Sequence, residues 1–213
     1  PDTTTVPYSP FGMMRDGTIL ACERDAANRQ TIFTVSADLS VKGAAVILDA
    51  NSQVRKILTS SKEDCAWVVV EPSWGKLAIL RIANLSTRAK VVERTPAWVG
   101  RFSATGNGAS DFVGLSADER WLVFNDKRYE AKNLRKRPTQ IPRVIAVAEE
   151  SNVACAATQV FDLDSLETID WIPSASQATF LRDDTLITLD SGSGRLRRHQ
   201  LARVALLMGD SAN

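Results

Sequence analysis

An all-β fold of antiparallel hairpins is what the sequence predicts, on three observations. Short apolar or alternating runs of about 5 to 9 residues recur along the whole chain. Helical periodicity is nearly absent, and turn residues separate one run from the next.

Taken in order, the runs that read as strands are Thr18 to Glu23, Thr31 to Ser36, Ala44 to Leu48, Val54 to Leu58, Ala66 to Glu71, Lys76 to Ile82 and Ala89 to Glu93. They continue with Asp111 to Leu115, Trp121 to Asn125, Val144 to Ala148, Thr158 to Leu163, Thr168 to Ile172, Ala178 to Leu181 and Thr185 to Leu189. So many strands with almost no helix exclude a βαβ architecture, whose parallel crossovers need helical stretches of a dozen or so residues. Arg15-Asp16-Gly17, Asp49 to Ser52, Ser73-Trp74-Gly75, Ser116 to Glu119, Asp162 to Ser165 and Arg182-Asp183-Asp184 each lie between two runs. Asp, Asn and Gly accept positive φ or close Asx turns, so these segments read as hairpin connections.

Several stretches superpose. Phe11 to Ala21, Phe112 to Phe124 and Ala178 to Leu189 each give a strand, an acidic turn and a strong apolar strand. AAVILDANSQVRKIL from Ala44, LAILRIANLSTRAKVVE from Leu77 and TQVFDLDSLETIDWI from Thr158 give a second type, in which a polar turn joins the strands. Alternation of the two types, with a period of roughly 40 to 60 residues, is the signature of propeller blades.

On these residues the chain resembles the β-propeller superfamily, in particular WD40-like blades. Ser116-Ala117-Asp118-Glu119-Arg120-Trp121 stands where the family often has a serine-x-aspartate-glycine turn before a tryptophan-led strand. Val160 to Ile172 is similar to the third and fourth strands of a blade. The resemblance implies antiparallel four-stranded blades, with an irregular β-sandwich or barrel as the alternative. No Gly-His and Trp-Asp pair stands at the family spacing, so none of the family's binding positions carries over. Residues 11 to 189 supply about three to four blades, at the low end of the roughly 4 to 8 of a closed ring, which points to a small or irregular propeller or to a fragment whose remaining blades lie elsewhere in a longer polypeptide or in a partner chain.

The expected organisation is an N-terminal extension over residues 1–10, a propeller-like β domain over 11–200 with a basic loop insertion at 127–143, and a C-terminal tail over 201–213. An apolar fraction of 44% and a charged fraction of 24% exclude wholesale disorder. With 26 basic against 25 acidic residues, no global field draws the chain to nucleic acid or to a membrane. No apolar run reaches the roughly 18 to 20 residues of a spanning helix, and Pro1 to Ser9 lacks the features of a signal peptide. Cys22, Cys65 and Cys155 lie far apart in apolar runs, which suggests reduced, buried thiols in a cytoplasmic protein.

Candidate chemistry is sparse. His199 is the one histidine and sits in a basic, polar stretch, so neither a nucleophile with its base nor a metal set is expected, and no cofactor is implied. Asp162 with Asp164, and Asp183 with Asp184, fall at turns, where aspartate serves the backbone. Gly106-Asn107-Gly108 and Gly192-Ser193-Gly194 lack the context of a phosphate loop.

The main anomaly is the segment from Lys127 to Arg143, where Lys127, Arg128, Lys132, Arg135, Lys136, Arg137 and Arg143 put seven positive charges in 17 residues. It reads as a long loop able to contact an acidic protein surface or nucleic-acid phosphates. Among the tryptophans, Trp67, Trp121 and Trp171 are expected to pack between sheets, while Trp74 and Trp98, at turns beside prolines, are candidate interface anchors. The function these features imply is a non-catalytic protein-interaction scaffold within a larger complex. The alternatives are a small-ligand binder or enzyme working through acidic residues in a central channel, and a nucleic-acid contact through the basic segment.

Overall fold

A computed structural model describes residues 12–14, 16–24, 29–36, 46–49, 52–73, 76–96, 99, 112–182 and 184–201. These residues form nineteen strands and no helix. Among them, therefore, no helix is long and apolar enough to cross a membrane.

The chain divides into two compact units, residues 1–105 and 106–213. In the first, β1 (Gly12–Met13), β2 (Ile19–Arg24), β3 (Gln30–Val35) and β4 (Val46–Ile47) make one sheet, ordered as in the sequence. A second sheet follows from β5 (Gln53–Thr59), β6 (Cys65–Ser73), β7 (Lys76–Ala83) and β8 (Lys90–Arg94). The first strands approach each other closely. A Cβ on Gly12 would sit 2.9 Å from the Cγ2 of Ile57, so β1 can lie beside β5 only with glycine there. Leu20, Cys22 and Ile32 from one sheet meet Ile57, Val68, Leu80 and Ile82 from the other in one core.

The second unit holds three sheets. The first comprises β9 (Val113–Leu115), β10 (Trp121–Phe124), β11 (Lys127–Glu130) and β12 (Thr139–Gln140). The next is β13 (Val144–Val147), β14 (Val153–Ala156), β15 (Gln159–Asp162) and β16 (Thr168–Trp171), and the last is β17 (Ala175–Arg182), β18 (Thr185–Asp190) and β19 (Leu196–Gln200). Every pairing is antiparallel between sequence neighbours, and the first strand of the middle sheet, β13, lies beside both β9 and β17.

Alternation of side chains divides the middle sheet between two cores. Ala154, Ala156 and Phe161 pack with Trp121 and Val123, while Val153, Cys155 and Val160 pack with Leu186, Ala178 and Phe180. A strand covered on both faces must be apolar at every position, which is why β14 reads VACA and β10 reads WLVF.

Each of the fourteen expected strands coincides with an observed one. β1, β11, β12, β14 and β19 are additional, and they raise the expected three to four blades to four complete sheets and one of three strands. Val160 to Ile172 does hold the third and fourth strands of its sheet, as the blade resemblance implies, and Phe112 to Phe124 holds the first two of another. Asp49 to Ser52 is corrected from a hairpin to the link between two sheets, since β4 and β5 do not pair. Glu119 occupies the turn position where the resembled family has glycine, with φ of 59°. That conformation costs a non-glycine residue about 1 to 2 kcal/mol.

The thiols of Cys22, Cys65 and Cys155 are free and buried in three different sheets. Burial pushes the Cys22 pKa up to about 11, against a small opposing pull from Arg24, and that of Cys155 up to about 12. Both remain protonated, unreactive thiols at neutral pH.

Candidate interaction surfaces

The basic segment is not a loop inserted in a blade, as expected, but the outer half of one. Lys127 to Glu130 is β11, paired along its length with β10, and Thr139 with Gln140 forms β12. Arg128 and Tyr129, on opposite faces of β11 and both buried, sit in a row of charges that resembles a solvated loop. Lys132, Arg135, Lys136, Arg137 and Arg143 are exposed, and Lys127 is half-buried. Lys136 pairs with Glu130, whereas Arg135, Arg137 and Arg143 form no ion pair with the described carboxylates.

Arg128 leaves this surface set altogether. Its guanidinium carbon lies 4.0 Å from the centroid of the Trp121 ring, and its NH1 donates to the carbonyls of Leu163 and, at 3.1 Å, Asp164. Arg120 also stacks on Trp121, 4.7 Å from the same centroid. The Trp121 indole N–H donates to Asp164 Oδ1 at 2.6 Å, and Asn152 Nδ2 donates to Oδ2 at 2.8 Å. The turn between β15 and β16 is thereby tied to β10 and β11 of the neighbouring sheet. Burial lowers the Arg128 pKa and the Asp164 carboxylate opposes that effect.

The acidic turn residues are engaged in the same backbone chemistry. Asp118 Oδ1 accepts from the Ser116 hydroxyl at 2.6 Å and the Arg120 N–H at 2.9 Å. Asp162 Oδ1 accepts from the N–H groups of Asp164 and Ser165 at 2.9 and 2.6 Å. Asp184 Oδ2 accepts from Gln200 Nε2 at 2.9 Å, and Asp183 lies outside the described residues. No three described His, Cys, Asp or Glu side chains are placed to share a metal ion.

The last sheet exposes more. Leu196 on β19 is 75% exposed and Leu181 on β17 is 63% exposed. His199 is half-buried, its Nε2 2.9 Å from the Thr188 hydroxyl, and burial followed by the charge of Arg197 lowers its pKa. Both effects favour the neutral imidazole. Arg197 itself pairs with Asp190 at 2.8 Å. The Ser193 N–H and hydroxyl, the Gly192 N–H and Arg197 together hold the Asp190 carboxyl down at about 2.

Trp67 and Trp121 are buried, but Trp171 is corrected from a packing residue to a surface one: it sits 74% exposed at the end of the edge strand β16. Trp74 and Trp98 lie outside the described residues.

The class these sheets define is an all-β protein of consecutive antiparallel sheets of three or four strands, consistent with a propeller-like fold. No protein-family model matches the chain, and no curated protein matches it. Solved structures that are similar to it include the Kuenenia stuttgartiensis hydrazine synthase, at 11% identity and a TM-score of 0.42 over 90% of this chain and 58% of that one. The dihydro-heme d1 dehydrogenase NirN in complex with DHE is similar at 12% identity and a TM-score of 0.49, over 91% and 47% of the two chains. A chain of the mitotic checkpoint complex is similar at 12% identity and a TM-score of 0.38, over 89% and 75%. The chain thus spans less than two thirds of the first two structures. None of the activities in those names transfers to this chain at such identities and scores.

Proposed function

We propose that the chain is a non-catalytic protein-interaction module, part of a WD40-like propeller within a larger complex, and that its partner supplies a strand alongside β19. The observation that carries this reading is the strand count of the last sheet. Among the described residues, four sheets have four strands and the last has three, with β19 at its edge.

An open strand edge presents unpaired N–H and C=O groups and is a template for another chain. Leu196 stands exposed on that strand, suited to an incoming strand with an apolar residue opposite it. The exposed Arg135 and Arg137 between β11 and β12, and Arg143 between β12 and β13, favour an acidic surface as a further contact, with nucleic-acid phosphates as the second reading.

A photo-crosslinking amino acid in place of Leu196, in the protein expressed in its source cells, tests the proposal. The expected product is one discrete adduct with another polypeptide. Crosslinks confined to this chain would overturn it.

A further inference from the structure

The last sheet carries a cleft of about 350 Å³ lined by Leu181, Arg182, Asp184, Thr185, Arg198 and Gln200. Its position follows from the register. Arg182 on β17 pairs with Thr185 on β18, which pairs with Gln200 on β19, and Arg198 follows two residues before Gln200. Side chains two residues apart share a face, so Arg198 and Gln200 lie on one side of the sheet with Thr185. The two arginines start from strands two apart, roughly 10 Å across the sheet, and both reach the same cleft.

The charges in this cleft are not mutually satisfied. Asp184 is held by other groups: its Oδ2 accepts from Gln200 Nε2 at 2.9 Å and its Oδ1 from the Thr185 hydroxyl at 3.1 Å. Neither Arg182 nor Arg198 forms an ion pair with it or with any other described carboxylate. Two exposed guanidinium groups therefore share a concavity with one carboxylate, whose hydrogen bonds come from the neutral Gln200 and Thr185 of the same cleft, so the lining residues keep a net positive charge. Arginine presents planar donors that match the oxygens of a phosphate. A dianion satisfies two such groups, whereas a carboxylate carries charge for only one. The volume is at the lower end of small-molecule sites, and the exposed Leu181 gives it one apolar wall.

We propose that this cleft binds a small phosphomonoester, its phosphate between Arg182 and Arg198 and its organic part against Leu181. The site lies on the face of the sheet, not on the β19 edge, so it stands independently of strand addition by a partner.

Phenyl phosphate is the probe, titrated into the full chain by calorimetry, with benzoate and phenol as comparison ligands. Saturable one-to-one binding of phenyl phosphate is expected, with benzoate weaker and phenol not bound. Arg182→Gln and Arg198→Gln should each weaken it about tenfold or more, as loss of a charged hydrogen bond does. Arg195→Gln, an exposed cation that does not line the cleft, should leave it unchanged. Both arginines in the cleft are exposed, so the variants should keep the parental near-UV circular dichroism. The proposal is overturned if phenyl phosphate does not bind, if benzoate binds equally well, or if Arg195→Gln weakens binding as much as the cleft variants do.

Discussion

Replacing Arg128 with alanine is expected to destabilise the protein by about 2 to 4 kcal/mol, because several interactions meet at one buried side chain. Its stack on Trp121 accounts for about 1 to 2 kcal/mol and its donation to the carbonyls of Leu163 and Asp164 for a further 1.5 to 3 or so. Relief of the buried charge, and of an Nε that has no hydrogen-bond partner, offsets part of the loss. Arg128→Lys should not rescue, since an ammonium neither stacks as a plane nor donates as a fork. Arg137→Ala, at an exposed position of the same basic segment, should stay within about 0.5 kcal/mol of the parent. Urea denaturation read by tryptophan fluorescence and by circular dichroism together measures all three.

The largest expected effect of a core substitution in this unit comes at Phe161. Its ring is 1% exposed and packs with Trp121, Val123, Ala154 and Ala156 between neighbouring sheets. Phe161→Ala should therefore cost about 3 to 5 kcal/mol through lost burial and the cavity left behind. Trp171→Ala removes a larger side chain, yet should cost less than about 0.5 kcal/mol, because that ring is already in water. The same urea series decides the contrast, and equal losses at the two positions would contradict the packing described.

The strands that could be read in advance and those that could not differ in a physical way. A strand with apolar residues on one or both faces, such as β6 or β18, announces itself by composition. β11 and β19 carry KRYE and LRRHQ, and their pairing is set by neighbours in the sheet, not by their own hydrophobicity. β14 carries VACA, whose two alanines give only a weak strand signal.

The candidate surfaces divide in the same manner. The cluster of positive charge between Lys127 and Arg143 is plain in the sequence, but that Arg128 is buried while Lys132, Arg135, Lys136, Arg137 and Arg143 are exposed follows from the packing of β11 against its neighbours. Its partners Leu163 and Asp164 lie 35 and 36 residues on, at a separation no local pattern reveals. Arg182 and Arg198 likewise meet only through the register of three strands. The single signal for that cleft was the second run of arginines at Arg195, Arg197 and Arg198, and of these only Arg198 lines it.

The proposed role rests on β19 as an edge that a partner completes, and hydrogen exchange at its backbone amides bears on it most directly. Residues Leu196 to Gln200 should be compared between the isolated chain and the assembly recovered from source cells. Those β19 amides that do not pair with β18 are expected to exchange rapidly in the isolated chain and to become protected in the assembly. Rapid exchange in both states, or full protection already in the isolated chain, would contradict the account.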